Sequence, residues 1–263
     1  MPELPEVETV VRSVAAHVVG RRILAAAFTS RFVTPGDRVK LAQRLVGQTI
    51  QSILRRGKFI IMPLDQGTLT VHLGMTGRLL ISGQPGEHVH GIFTLDDGQL
   101  FYQDPRQFGR IEWSPGEPPR VAKLGPEPLE ITLGEFQARL KRHKTRIKAL
   151  LLNQTFLAGV GNIYADESLH ASGIHPLALA ARLKPERAAR LLTAIQGILA
   201  HAIHMGGSSI SDYVDANGER GWFQVEHRVY GREGEACKTC ATPVRKTLVA
   251  QRGTHFCPVC QKR

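Results

Sequence analysis

Pro2 and Glu3 open the chain behind a single methionine. Proline is small enough that an initiator methionine before it is normally removed, and removal is expected here. Pro2 would then carry a free secondary amine, less basic than a lysine side chain. Part of that amine is unprotonated near neutral pH. It can condense with an aldehyde-like carbon to give an iminium, which is covalent catalysis by an amine. Glu3 beside it can donate or accept a proton. Glu6 and Glu8 follow on the first turn of a predicted helix. The same stretch also reads as an ordinary helix start, because Pro5 suits the first turn and acidic residues there favour the helix dipole. Both readings can hold at once. The start lacks the positive charge and apolar run of a targeting peptide, so none is expected.

A second chemical group closes the chain. Cys237-x2-Cys240 is followed after 16 residues by Cys257-x2-Cys260. Two such knuckles predict a tetrahedral all-thiolate site for one structural Zn2+, with no coordination position left open. Two disulfides are the alternative; the local spacing and the missing secretion signal speak against them. The module from 237 to 263 carries Lys238, Arg245, Lys246, Arg252, Lys262 and Arg263 and no acidic residue. A hairpin with one sign of charge suits a phosphate clamp, with Arg252 near its tip.

Between these ends lie weaker signals. Asp104-Pro105-Arg106-Gln107-Phe108-Gly109-Arg110 joins a turn to cations and an aromatic. His72-Leu73-Gly74-Met75-Thr76-Gly77 puts a methionine at another turn. Apolar side chains at turn tips beside arginines can wedge into a base stack, although Met75 and Phe108 alone also read as core. Lys58, in Arg55-Arg56-Gly57-Lys58, reads as a phosphate contact or a solvated charge. Gly159-Val160-Gly161-Asn162-Ile163-Tyr164 lies between predicted helices. It is a turn that could offer backbone amides to a phosphate, or simply an interhelical turn.

Elements must hold these residues in place. Val7, Val10, Val11, Val14 and Val18 recur at helical spacing before Gly20, predicting a helix over 5–19 whose apolar face docks on a sheet. From Ile23 to Trp113 short apolar runs alternate with turn residues. They are Ile50 to Leu54, Phe59 to Leu64, Leu69 to Leu73, Arg78 to Ile81, Ile92 to Leu95 and Ile111 to Trp113, with a short helix near Val39 to Leu45. The pattern predicts an antiparallel sandwich or barrel. Pro115, Pro118, Pro119, Pro126 and Pro128 mark a linker. Helices are predicted over 132–143, opened by a Thr132 capping box, and over 145–153, 162–172 and 185–205. Gly206-Gly207 ends the last, and Ser208 to Gly221 reads as a long functional loop. The expected domains are 1–114, a linker 115–130, a helical domain 131–234 and a zinc module 235–263. The fold class is α+β.

The formal net charge of +11 over 263 residues, with a pI near 9.9, points to a polyanionic partner. No run reaches transmembrane length and no basic amphipathic helix with an aromatic face stands out, so nucleic acid is favoured over a membrane.

Taken together, the Pro-Glu-Leu-Pro-Glu-Val-Glu start, the His-Leu-Gly-Met turn, Asp-Pro-Arg-x-Phe-Gly, Gly-Val-Gly-Asn-Ile-Tyr-Ala and the paired cysteines resemble the formamidopyrimidine-DNA glycosylase family across the whole chain. The resemblance implies an N-terminal β-sandwich, a helix-two-turn-helix domain and a β-hairpin zinc finger, with DNA in the cleft between the domains. It implies a bifunctional enzyme that excises oxidised purines and nicks the strand by β,δ-elimination. Pro2 would be the nucleophile, Glu3 the proton donor, Glu6 a supporting carboxylate and Lys58 a phosphate-contacting catalytic lysine. Met75, Arg106 and Phe108 would fill the gap left by a flipped base. His90, Arg110, Lys148, Asn162, Tyr164 and Arg252 would contact DNA. The partner implied is double-stranded DNA with an oxidised base or abasic site, met by a monomer in the bacterial cytoplasm, at the nucleoid during repair. One departure stands at His88-Val89-His90, where the family carries an intervening acid. The sister branch for oxidised pyrimidines typically has glycine where this chain has Leu4. A non-catalytic DNA-binding protein would not need Pro2, Glu3 and Lys58 intact. An unrelated zinc-ribbon RNA-binding protein would account for the charge and cysteines but not for the N-terminus.

Overall fold

The computed structural model describes residues 1–81, 86–210 and 213–262. Residues 211 and 212 of the expected loop, and Arg263 of the basic module, lie outside the described residues. The chain forms two compact units: Met1–Lys123 with Met205–Trp222, and Leu124–His204 with Phe223–Arg263.

The first unit begins with α1 (Leu4–Val18), which buries Val7, Val10, Val11, Val14 and Val18 along one face. That stripe at 3.6-residue spacing is the reason the segment is helical and docked. Then come β1 (Ile23–Phe28), α2 (Arg38–Leu45), β2 (Leu54–Arg56), β3 (Phe59–Pro63), β4 (Thr68–His72), β5 (Arg78–Leu80), β6 (Val89–Leu95), β7 (Gln99–Gln103) and β8 (Arg110–Ser114). They form two antiparallel four-stranded sheets, ordered β1-β6-β7-β5 and β2-β3-β4-β8. Ile60, Met62, Val71 and Ile111 of one sheet, Leu79, Phe93, Leu100 and Tyr102 of the other, and the α1 valines share one buried core. The predicted sandwich is therefore present.

Two details differ from the sequence reading. The run Ile50 to Leu54 is not a strand throughout. Ile50 bonds to Gly20 and Arg21 in the turn after α1, and β2 starts only at Leu54. Ile50 meets the end of β3 only through an isolated bridge to Leu64, and the side chains of Ile50 and Ile53 fill the core. β1 and β7 lie outside the apolar runs named above. β1 reads Ile-Leu-Ala-Ala-Ala-Phe, and alanine carries no strand signal of its own.

The second unit holds α3 (Leu133–Lys141), α4 (Ile147–Leu151), α5 (Asn162–Ala171), α6 (Pro185–His204) and the antiparallel hairpin β9 (Arg245–Val249) and β10 (Arg252–Phe256). Thr132 caps α3, its hydroxyl accepting from Glu135 N at 3.3 Å. The division between units falls within the proline-rich stretch, after Lys123. The stretch Met205–Trp222, expected to stay with the helices, packs instead in the first unit. Gly206 and Gly207, both at positive φ, turn the chain at that point. No helix among the described residues is long and apolar enough to cross a membrane.

Candidate active site and nucleic-acid interface

Glu3 is the N-cap of α1 and closes a capping box with Glu6. The Glu3 side chain accepts from the Glu6 backbone, and Glu6 Oε2 accepts from Glu3 N at 2.7 Å. Glu6 Oε1 accepts from Ser208 N at 2.7 Å, and the Glu6 carbonyl accepts from the Tyr213 hydroxyl at 3.2 Å. A Cβ on Gly207 would stand 2.9 Å from Glu6 Oε1, and its φ of +82° also favours glycine. Both carboxylate oxygens of Glu6 thus hold backbone N–H groups. Glu6 fixes the helix start and ties it to the returning segment. Pro2, Glu3 and Glu6 are all buried. With Met1 attached, the Pro2 nitrogen is an amide with no basic lone pair; release of Met1 makes it an amine.

Lys58 follows Gly57, which turns β2 into β3 at a φ of +56°. Arg55 braces this turn. Its Nε donates to Glu8 Oε2 at 2.9 Å and its Nη1 to the Gly57 carbonyl at 3.2 Å. The Lys58 hairpin is thereby tied to α1, the helix that Glu3 caps. Burial pushes the Glu8 carboxyl up, but the guanidinium groups of Arg12 and Arg55 outweigh it and hold the carboxyl below the usual range. His72 pairs with Phe59 in β3 and with Arg110 in β8. Burial first, then the charges of Lys58, Arg120 and Arg110, push its pKa down to about 4. His72 is therefore neutral at pH 7. Its Nδ1 accepts from Gly74 N at 3.1 Å, which leaves Nε2 as the protonated nitrogen and a donor. Lys58, in the turn between β2 and β3, thus stands near His72 of β4 and Arg110 of β8.

The two expected wedge turns meet at Asp104, which is fully buried. Its Oδ1 accepts from Thr76 Oγ1 at 2.6 Å and its Oδ2 from Gly109 N at 2.8 Å. A Cβ on Gly74 would lie 2.6 Å from the Phe108 carbonyl carbon, so the turns touch backbone to backbone. From this joint Met75 is 38% and Phe108 53% exposed, with the Arg106 guanidinium 4.7 Å from the Phe108 ring centre. Large apolar side chains at turn tips, held from beneath by a buried carboxylate, gain nothing for the fold by being exposed.

His90 lies in β6. Its Nδ1 contacts Thr29 Oγ1 at 3.1 Å, and its buried Nε2 has no hydrogen-bond partner among the described residues. Burial pushes its pKa down. His90, expected to contact DNA, is 7% exposed as a whole residue.

In the second unit, Lys148 is also placed unlike a surface cation. It is fully buried, its ammonium 2.6 Å from Asp166 Oδ1 and 3.0 Å from the Asn162 carbonyl. Asp166 Oδ2 accepts from His255 N at 2.9 Å, and Asn162 Nδ2 donates to the Gly253 carbonyl at 2.9 Å. Lys148, Asn162 and Asp166 therefore pin α4 and α5 to β10. Tyr164, expected on the DNA, is a core residue, with its ring against Phe223 at 5.5 Å. Its place one turn into α5 points it inward. Arg252 sits as expected, exposed at the tip of the hairpin, beside Ala250 and Gln251 at positive φ. Glu167, also buried, accepts from the N–H groups of Arg228, Val229 and Tyr230 and so anchors the entry to the cysteine module.

The four cysteine sulfurs lie within 4.8 Å of one another. Near pairs stand at 3.4 Å (Cys240–Cys257, Cys240–Cys260) and 3.9 Å (Cys237–Cys260). Tetrahedral thiolates about 2.3 Å from zinc stand about 3.8 Å apart, so the set fits one zinc ion. It does not fit disulfides, whose sulfurs approach to about 2.05 Å. All four ligands come from the protein, so the metal is structural. His170 of α5 faces this group, its Nε2 3.4 Å from Cys237 Sγ.

Three family models match in chain order. They are the formamidopyrimidine-DNA glycosylase N-terminal domain over residues 1–111, the formamidopyrimidine-DNA glycosylase H2TH domain over 124–214, and the zinc finger found in FPG and IleRS over 234–263. The formamidopyrimidine-DNA glycosylase of Solibacter usitatus is 58% identical over the full length of both chains. The chain belongs to the formamidopyrimidine-DNA glycosylase family. The Thermus thermophilus MutM (Fpg) crystal structure superposes with a TM-score of 0.90 at 40% identity, covering 99% of this chain and 98% of that one. A point mutant of Lactococcus lactis Fpg in complex with Fapy-dG DNA gives 0.89 at 39% identity over both whole chains. Lactococcus lactis Fpg on abasic-site DNA gives 0.89 at 38%. The family's α+β plan of N-terminal domain, H2TH domain and zinc finger with a β-hairpin is the plan seen here.

Within this glycosylase fold the sequence reading missed the residues that hold the functional ones. Glu8, Asp104, Asp166, Glu167 and His170 are acids and a histidine whose partners lie far along the chain. Asp104 and Glu8 carried a signal, Asp104 as the first residue of the Asp-Pro-Arg turn and Glu8 as an acid at the start of α1.

Proposed function

We propose that the base-excision and strand-nicking activities of the family are carried in this protein by Pro2, Glu3 and Lys58. The substrate class is DNA containing an oxidised purine, including ring-opened formamidopyrimidines, or an abasic site. The observation that supports this reading best is the lock at the start of α1. Glu6 spends both oxygens on holding Glu3 and Ser208, so the residue after the nucleophile cannot wander.

The chemistry follows from the residue types. The damaged nucleotide leaves the stack, because its glycosidic bond cannot be reached inside the duplex. Met75, Arg106 and Phe108 fill the space it vacates. The Pro2 amine attacks the anomeric carbon and the bond to the base breaks, the electron pair leaving with the base. Glu3 protonates the ring oxygen as the sugar opens, giving an iminium on Pro2. The iminium acidifies the neighbouring carbon, which loses a proton as the 3′ phosphate departs. A second elimination releases the 5′ phosphate. Lys58, His72 and Arg110 hold the phosphate beside the lesion, and Arg252 a phosphate on the second unit. The zinc ion cross-links the hairpin that carries Arg252. We place the protein in the bacterial cytoplasm, acting as a monomer on the nucleoid.

Borohydride reduction during turnover tests the reading, since it converts the iminium to a stable amine. Protein should remain attached to damaged DNA, and peptide mapping should place the link on the N-terminal peptide. A link at Lys58, or normal nicking by a chain blocked before Pro2, would leave Pro2 as a helix-start residue only. Faster excision of thymine glycol than of 8-oxoguanine would move the protein to the pyrimidine branch.

A further inference from the structure

Gln107 is the one non-glycine residue of the first unit with a positive φ, +53°, among the described residues. It immediately precedes Phe108. An L-residue enters this left-handed region against its own Cβ, so something must hold it there. The holder is visible. Ser30 Oγ donates to Gln107 Oε1 at 2.6 Å. The same oxygen accepts from Phe32 N at 3.1 Å and from Val33 N at 3.2 Å. Two backbone N–H groups aimed at the oxygen leave its hydrogen no better direction than Gln107. Ser30 itself is buried at 6% exposure, and its segment is fastened to β8 by Ile111 N donating to the Val33 carbonyl at 2.8 Å. On the other side of Phe108, Gly109 N is held by Asp104, and there is no room for a Cβ there.

We propose that Ser30 is a positioning residue for Phe108: it clamps Gln107 in a left-handed turn, and that turn aims the Phe108 ring outward. The proposal rests on the reading of Phe108 as a wedge. Glycine at 107 would adopt the same φ without strain but would offer no side chain to the clamp. The chain instead has a strained residue with an anchor, a combination that fixes direction rather than adding stability. Phe108 is exposed, so its direction matters only when something comes to meet it.

The test is a double-mutant cycle on duplex DNA with 2-aminopurine beside the lesion, whose fluorescence rises on unstacking. Ser30→Ala should slow the unstacking phase roughly five- to tenfold, the scale of relaxing one left-handed residue. Gln107→Met, which keeps the bulk and loses the acceptor, should do the same. In a Gln107→Gly background Ser30→Ala should have no further effect, because glycine needs no clamp. Equal slowing by Ser30→Ala in both backgrounds would assign Ser30 a general structural role and overturn the proposal. So would an unchanged unstacking rate in both Ser30→Ala and Gln107→Met while Phe108→Ala is slow. Phe108→Ala without effect would remove the wedge reading itself, and the clamp's purpose with it. Should Ser30→Ala not fold, Gln107→Met carries the test alone against Gln107→Gly.

Discussion

Thr76 Oγ1 donates to Asp104 Oδ1 at 2.6 Å across 28 residues of chain. This single contact, with Gly109 N on the other carboxylate oxygen, makes the Met75 turn and the Phe108 turn one object. A buried carboxylate with well-aligned donors is worth more than a neutral hydrogen bond, and leaving its partners unpaired is costly.

Asp104→Asn should therefore lower the stability of the first unit by about 2 kcal/mol, since the charge that strengthens both bonds is lost and the Thr76 hydroxyl must turn to accept from the amide. Urea unfolding checks this. Excision from duplex DNA should fall further than stability does, because both wedge tips lose their base. Unchanged excision would separate the joint from function.

Lys148 and Arg252 should behave differently. Arg252→Ala should flatten the slope of log affinity against log salt by about one unit, as for a lost phosphate contact. Lys148→Met should leave that slope alone, because its ammonium is spent on buried Asp166. It should instead destabilise the second unit by roughly 3–5 kcal/mol through the orphaned carboxylate. Salt titrations of binding and thermal unfolding separate the two.

Zinc removal should loosen the β9–β10 hairpin and weaken DNA binding. His170→Phe should speed zinc loss to a chromophoric chelator by about tenfold, the effect of removing a hydrogen bond to a metal ligand. Release at the native rate would show that the contact with Cys237 Sγ does not support the metal.

His72 sets a pH dependence. Its folded pKa of about 4 lies below the ordinary 6.5. Between those values the unfolded chain binds the proton and the folded chain does not. Stability is thus fully present above pH 6.5 and falls on acidification towards 4, by up to about 1.4 kcal/mol per pH unit. His227, also pushed down to about 4 by burial and Lys238, adds in the same direction. His72→Gln should flatten the profile of urea midpoints between pH 7 and 4.5; an unchanged profile would mean that His72 takes up its proton at the same pH in the folded and the unfolded chain.

Some of this molecule could be read without coordinates. The valine stripe of α1, the alternating runs of the sandwich and the two cysteine knuckles are local patterns, repeated within a few residues, and each reports its own element. The paired CxxC spacing is enough to select a tetrahedral metal site. What the tertiary structure alone decided is which polar groups are spent inside. Lys148 and Arg252 are both basic residues in the sequence, yet one is locked onto Asp166 and the other stands at a hairpin tip. Tyr164 lies in a glycine-rich motif and still faces the core. Glu6 stands three residues from Glu3, but its second oxygen holds Ser208, 202 residues away. Burial and partnership depend on contacts between distant segments, and no spacing along the chain encodes how much water a side chain keeps.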